Sequence, residues 1–159
     1  MLYWIDLPTQ GRLAIMARPR ANDWLEDQIK SWRDEGVGTV VSLLEAEEVV
    51  DLDLGAEEGL CRAQGMDFIK FPIPDRGLPA SRNEAAAICR VLADRLAAGD
   101  AVAIHCRAGI GRSSLMAACT LFVAGFDPTL VLDAITSARG LTVPDTDAQR
   151  DWVLQFGQT

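Results

Sequence analysis

Histidine is all but missing from this sequence: His105 is the only one in 159 residues. Cysteine is scarce too. Cys61, Cys89, Cys106 and Cys119 are the four, and no two of them form a CxxC pair. A Cys/His zinc site is therefore poorly supplied with ligands, and no metal or other cofactor is expected. No apolar run reaches the roughly 18 residues of a membrane span. The opening stretch MLYWIDLPTQ lacks the basic and apolar regions of a signal peptide. Basic residues are outnumbered by 15 to 23, which leaves a net charge of −8. That balance disfavours nucleic acid and anionic membranes as partners. Repeats, low-complexity tracts and linkers are absent as well. What remains is 49% hydrophobic and 24% charged. The expectation is one domain over residues 1–159, monomeric and cytoplasmic, with reduced thiols.

Apolar runs and helical periodicity alternate along the chain. Arg12 to Ala17, Thr39 to Leu44, Asp67 to Ile73 and Ala101 to Cys106 read as strands. Between them lie helical stretches. The first has Asn22 or Asp23 as N-cap and Gly36 as stop, with Trp24, Leu25, Ile29 and Trp32 at core spacing. Glu45 to Val50 and Glu57 to Gln64 read as short helices. Ser81 with Glu84 forms a capping box at the start of a helix that ends near Ala98. Ser113 to Ala124 is apolar nearly all round and predicts a buried helix. Two further helices are expected near Pro128 to Ala138 and Asp145 to Phe156. This alternation implies an α/β fold, a largely parallel central sheet flanked by helices. Ligands in such folds bind beyond the carboxyl ends of the strands, where Cys106 falls.

The segment Cys106 to Arg112 joins a strand to a helix start. Unpaired N–H groups and the positive end of the helix dipole make that seam an anion site. Gly109 and Gly111 allow the backbone to curl so that the amides of Arg107, Ala108, Gly109, Ile110 and Gly111 converge as a nest. Arg112 adds a planar fork that suits two phosphate oxygens. The same field favours the thiolate of a cysteine at the bottom of the nest. Ser113 can hydrogen-bond that sulfur. His105 is expected to point into the core and orient the loop, with no role as a base.

His105-Cys106 through Arg112-Ser113 resembles the HCx5R(S/T) signature of cysteine-dependent protein tyrosine phosphatases. Size and layout look like the small dual-specificity branch, particularly its kinase-associated-phosphatase-like and bacterial members. The resemblance implies a protein tyrosine phosphatase-like fold and a phosphocysteine intermediate. It also implies a general acid on a loop after a strand, and Asp75 in FPIPDRGLP matches that role. Asp67, at a strand start, is a poorer candidate. Similar phosphatases carry a water-placing glutamine near VPDTDAQRDWV, and Gln149 matches it; the alternative is a solvated helix position. Arg107 either strengthens the pocket's field or faces water. Arg18, Arg20 and Arg139 are candidates for the pocket rim or for solvated turns. Cys61, Cys89 and Cys119 fit helices as small apolar residues.

The leading expectation is a hydrolase of phosphorylated protein or peptide, acting on phosphotyrosine and also phosphoserine or phosphothreonine. Hydrolysis of a phosphoinositide or another small phosphomonoester is one alternative. A pseudophosphatase that only binds phosphorylated segments is another. Thiol redox chemistry or sulfur transfer is disfavoured by Ser113, Asp75 and the lack of a neighbouring cysteine.

Overall fold

The computed structural model describes residues 1–158. Its centre is a five-stranded sheet. The strands are Tyr3–Trp4 (β1), Arg12–Met16 (β2), Thr39–Ser42 (β3), Asp67–Lys70 (β4) and Ala101–His105 (β5). Their order is β1-β2-β5-β3-β4. Only β1 runs antiparallel; the other pairings are parallel. The helices are Leu25–Asp34 (α1), Ala46–Asp51 (α2), Glu57–Ala63 (α3), Arg82–Ala97 (α4), Gly111–Val123 (α5), Pro128–Arg139 (α6) and Asp147–Gly157 (α7).

The near-continuous apolar strands are explained by burial on both faces. Successive side chains alternate between two cores. Leu13, Ile15, Val41, Val102 and Ile104 pack on one side with α4, α5, α6 and α7. Ala14, Met16, Val40 and Ala103 pack on the other with Leu25, Ile29 and Trp32 of α1 and Cys61 of α3. Each large aliphatic side chain so enclosed contributes roughly 1.5–3 kcal/mol. Helix α5 is the least amphipathic because it is buried over nearly its whole length. It thereby anchors the end of the loop that follows β5.

Several sequence expectations change in detail. Strand β1 was not foreseen, since two residues are too few for a periodic signal. Strands β3 and β4 stop at Ser42 and Lys70, earlier than expected. Asn22 and Asp23 are not caps of α1; with Trp24 they form a 3₁₀ turn that precedes it, without a side-chain cap. Trp24 is not in the core. It is 62% exposed and lies under the Arg20 guanidinium, 5.7 Å from the ring centroid. Ser81 does cap α4 by accepting from the Glu84 amide, but the reciprocal half of the expected capping box is not formed. Among the described residues, no helix is long and apolar enough to cross a membrane.

Candidate active site

Strand β5 lies between β2 and β3, so its carboxyl end emerges at the middle of the sheet. Cys106 follows at once, only 3% exposed. The chain then loops over 107–110 and enters α5 at Gly111. Beside it is a small pocket of about 210 Å³ lined by Asp75 and Arg76 from the loop after β4, by Asp145 and Gln149 from the α7 side, and by the Cys106–Arg112 loop except Gly109. Cys106, Asp75 and Gln149 are thus brought together from three separate parts of the chain.

The loop is held from several directions. Gly109 adopts φ +72°, and a Cβ there would come within 2.5 Å of the Met16 backbone. Gly109 therefore serves close packing on β2, and its place is behind the pocket wall rather than on it. Arg139 secures the same stretch from outside: its Nε donates to the Gly109 carbonyl at 2.9 Å and an Nη to that of Ala108 at 3.3 Å. Its guanidinium also sits 4.3 Å from the Tyr3 ring centroid. Arg139 is thus a brace, not part of the rim. Arg18 and Arg20 do not line the pocket either. The Arg18 guanidinium donates to the Pro19 carbonyl, while its backbone amide donates to that of Arg107.

His105 is fully buried. Its Nδ1 lies 3.2 Å from the Cys106 carbonyl oxygen and its Nε2 lies 2.6 Å from Glu57 Oε2. The Cys106 thiol donates to Ser113 Oγ at 3.4 Å.

Arg112 is buried under the pocket. One nitrogen donates to Glu48 Oε1 at 2.6 Å and to the Ile73 carbonyl at 2.9 Å. The other donates to Glu48 Oε2 at 2.9 Å and to Asp75 Oδ1 at 3.1 Å. Burial alone would lower the Arg112 guanidinium. The hydrogen bond to Glu48 and the charges of Cys106, Glu48 and Asp75 outweigh it and raise the group above its ordinary value. Burial works to raise Glu48, yet the Arg112 hydrogen bonds, the Glu45 amide and the charges of Arg112 and Arg107 hold it below the ordinary carboxylate value. Arg107 is half-exposed and lies 4.0 Å from Glu48, so it adds to the pocket's field while its side chain reaches solvent. Glu48 and Glu57 carry no mark in the sequence as site residues, nor do the rim residues Arg76 and Asp145. The signal available was indirect: a buried Arg and a buried His each need a partner.

Gln149 is fully buried, not a solvated helix position. Its backbone amide donates to Thr146 Oγ1 at 3.1 Å, and its Oε1 accepts from the Thr146 amide at 3.2 Å. Its Nε2 donates to the Gly77 carbonyl at 3.0 Å, which ties α7 to the loop that carries Asp75. Arg76 and Asp145 form a second tie at 2.9 Å. Gly111 lets Gln149 approach closely, since a Cβ would lie 2.8 Å from Gln149 Oε1. Asp67 pairs with Arg95 at the opposite end of the sheet. Cys61, Cys89 and Cys119 are buried within helices. Burial, ahead of nearby charges, pushes Cys61 up to about 12 and Cys89 up to about 11, and Cys119 also rises. No group of three or more His, Cys, Asp or Glu side chains among the described residues could hold a metal.

A doubly covered, mostly parallel sheet with a strand–HCx5RS–helix seam at its centre is the arrangement of the cysteine-dependent protein tyrosine phosphatase superfamily, in its small dual-specificity branch. Within that class the chain belongs to the Tc-R-P family, described as a polymorphic toxin system DSP-PTPase phosphatase, which residues 14–126 match. It is 31% identical over 94 residues to "Putative tyrosine phosphatase 067L" of Invertebrate iridescent virus 3. That match covers 55% of this chain and 39% of the viral protein, so the chain spans well under half of its relative's length. Among solved structures, kinase-associated phosphatase with its catalytic-site cysteine replaced by serine superposes with a TM-score of 0.86 at 20% identity, covering 99% of this chain and 94% of that one. Tk-PTP in its active form superposes with a TM-score of 0.79 at 25% identity, covering 99% and 96%. PTPMT1 gives 0.76 at 20%, covering 98% and 94%.

Proposed function

We propose that this chain hydrolyses phosphomonoesters on protein through a phosphocysteine, with phosphotyrosine and also phosphoserine or phosphothreonine as substrates. The observation that carries this reading is the convergence of Cys106, Arg112 and Asp75 on one pocket. The Cys106 thiolate attacks phosphorus and the P–O ester bond breaks. Amides of the 107–112 loop and the Arg112 fork hold the non-bridging oxygens, where charge spreads in the transition state. Asp75 gives its proton to the leaving oxygen. It then takes a proton from water, which Gln149 helps to place, as that water attacks phosphorus. The S–P bond breaks, Ser113 donates to the departing thiolate, and inorganic phosphate leaves.

The Asp75 carboxylate is ion-paired with Arg112 at 3.1 Å. An arriving phosphate takes over that N–H, and the released carboxylate takes up a proton from solvent before it faces the leaving group as the acid. The pocket is small and its rim carries Asp75 and Asp145 as well as Arg76 and Arg107. This mixed rim and the −8 net charge favour a phosphorylated peptide over a phosphoinositide on an anionic membrane. A bound PI(5)P is described for a PTPMT1 structure, which makes phosphoinositide the competing substrate to test. The test is kcat/KM on phosphotyrosine and phosphothreonine peptides and on a soluble phosphoinositide, with EDTA present. Peptides should be turned over, phosphotyrosine faster. A phosphoinositide preferred about tenfold, about 1.4 kcal/mol of discrimination, would overturn the substrate assignment. Phosphopeptide binding without turnover would point to a pseudophosphatase.

A further inference from the structure

The phosphatase reading uses His105 only as a brace and does not use Glu57, yet the two form a pair of ionisable groups in the core. Glu57 is 2% exposed and His105 is fully buried. Hydrogen-bond stoichiometry constrains their protons. The Cys106 carbonyl oxygen can only accept, so Nδ1 of His105 carries a hydrogen. The bond between Nε2 and Glu57 Oε2 is 2.6 Å long, which is short even for a charge-assisted N–H···O contact. A proton lies in that bond too. That proton sits on nitrogen in an ion pair or on oxygen in a neutral pair.

We propose that Glu57 is a positioning residue for the Cys106 loop. Its buried carboxylate keeps His105 doubly protonated, fixes Nδ1–H on the Cys106 carbonyl, and sets a positive charge one residue from the nucleophile. The rest of the environment is compatible. Trp32 from α1 faces the imidazole at 6.4 Å between ring centroids. Met16 and Ser42 flank it in register on β2 and β3. Glu57 borders a cavity of about 70 Å³ shared with Ser42, Glu58 and Lys70. Within that wall Lys70 is paired with Glu58 at 3.0 Å. Cys61, a turn further along α3, is a neutral thiol whose upward displacement comes from burial first and the Glu57 charge second. Around Cys106 itself the charged groups on the pocket are Arg112, Arg107, Arg76, Asp75 and Asp145, with Glu48 paired to Arg112 beneath it.

His105 is the chain's only histidine, so its ring nitrogens can be read without ambiguity in a ¹⁵N-labelled sample. At about pH 8.5, well above the usual imidazole midpoint of about 6.5, both nitrogens of the wild-type ring should carry protons. A ring with one unprotonated nitrogen overturns the proposal. Glu57→Gln should convert the ring to the neutral Nδ1–H form. It should also slow iodoacetate alkylation of Cys106 at about pH 6 by roughly three- to tenfold, the scale of removing one nearby charge from a partly solvated site. An unchanged alkylation rate in a folded E57Q chain would overturn the link to the nucleophile. If E57Q does not fold, the wild-type spectrum still decides the protonation state. The bearing on catalysis rests on the phosphatase reading above, but the ring spectrum does not. A neutral ring in a chain that turns over aryl phosphate would sink this proposal alone. A doubly protonated ring in an inactive chain would count against the other reading.

Discussion

Arg112 and Glu48 meet under the pocket fork to fork. Two guanidinium nitrogens reach both carboxylate oxygens, at 2.6 and 2.9 Å, with side chains 2% and 9% exposed. The pair fixes the plane of the guanidinium before any phosphate arrives, so the cost of ordering that side chain falls on folding rather than on substrate binding. Glu48 is itself held by the Glu45 amide, which donates to its Oε1 at 3.1 Å. Glu48→Ala leaves a buried cation with only backbone carbonyls and the exposed Asp75 for partners. Removing one member of a buried pair costs on the order of 3 kcal/mol. The variant should melt several degrees lower, and where it remains folded its kcat should fall about a hundredfold through a misplaced guanidinium. Thermal melts and steady-state kinetics check both. A stable variant with unchanged kcat would show that the guanidinium needs no such brace.

The same pair gives a pH dependence of known sign. The Glu48 carboxyl lies below its ordinary value of 4.5 in the folded chain and near that value once unfolded. The folded state therefore binds fewer protons. Its stabilising contribution is full above about pH 4.5 and is lost as pH falls through the lowered folded value. Melting temperature should drop on acidification in this window, and less steeply in Glu48→Gln, which has no carboxyl to titrate. Identical slopes for the two chains would contradict the assignment.

Much of this site is legible in the sequence because its chemistry is contiguous. His105 through Ser113 is one stretch, and Asp75 sits in a proline-bounded loop directly after a strand. Glu48 and Glu57 were illegible for the opposite reason. Each lies in an acidic run, EAEE and AEEG, that reads as a solvated helix start. Their partners are 64 and 48 residues away, and only tertiary packing of α2 and α3 against the sheet joins them. The parallel sheet was readable from its double-sided apolar strands. β1 was not, since two residues carry no period. Trp24 misled because helical spacing continues into a 3₁₀ turn whose face is open to solvent.

The four cysteines should separate sharply in reactivity. Cys61, Cys89 and Cys119 are buried in helices and displaced upward, so they present neither thiolate nor access. Cys106 alone opens on the pocket. Brief iodoacetate treatment near pH 6 should label Cys106 first, as read by peptide mass spectrometry, and vanadate or phosphate should protect it. Equal labelling of all four would remove Cys106 from the role of nucleophile. Cys106→Ser should lose turnover and keep phosphate binding, because a hydroxyl does not ionise at neutral pH.

Gly111 sets the distance between the Cys106–Arg112 loop and α7. A Cβ at this position would lie 2.8 Å from Gln149 Oε1 and 3.0 Å from Asp145 Cβ. Gly111→Ala should therefore push Gln149 off the Gly77 carbonyl and loosen the acid loop while α5 stays intact. Single-turnover kinetics should show the second step, hydrolysis of phosphocysteine, slowed more than its formation, so that the phosphorylated enzyme accumulates. Gln149→Ala should do the same. If formation alone slows, Gln149 does not place the water.

Asp75 offers the sharpest kinetic split. Its carboxylate accepts from Arg112 at 3.1 Å, so on the proposed mechanism a substrate phosphate competes with it for that N–H. Asp75→Asn removes both the proton donor and the competing charge. The first loss should slow kcat for poor leaving groups about 10²–10⁴-fold, the usual range for general acid catalysis. Activated aryl phosphates, which barely need the proton, should slow far less. The second loss should leave KM unchanged or lower it, since Arg112 is released toward phosphate. Comparing an alkyl and a nitrophenyl phosphate on both chains reads all of this at once. Equal slowing of the two substrates would exclude Asp75 as the acid, and a raised KM would mean that its contact with Arg112 organises the pocket rather than competing for it.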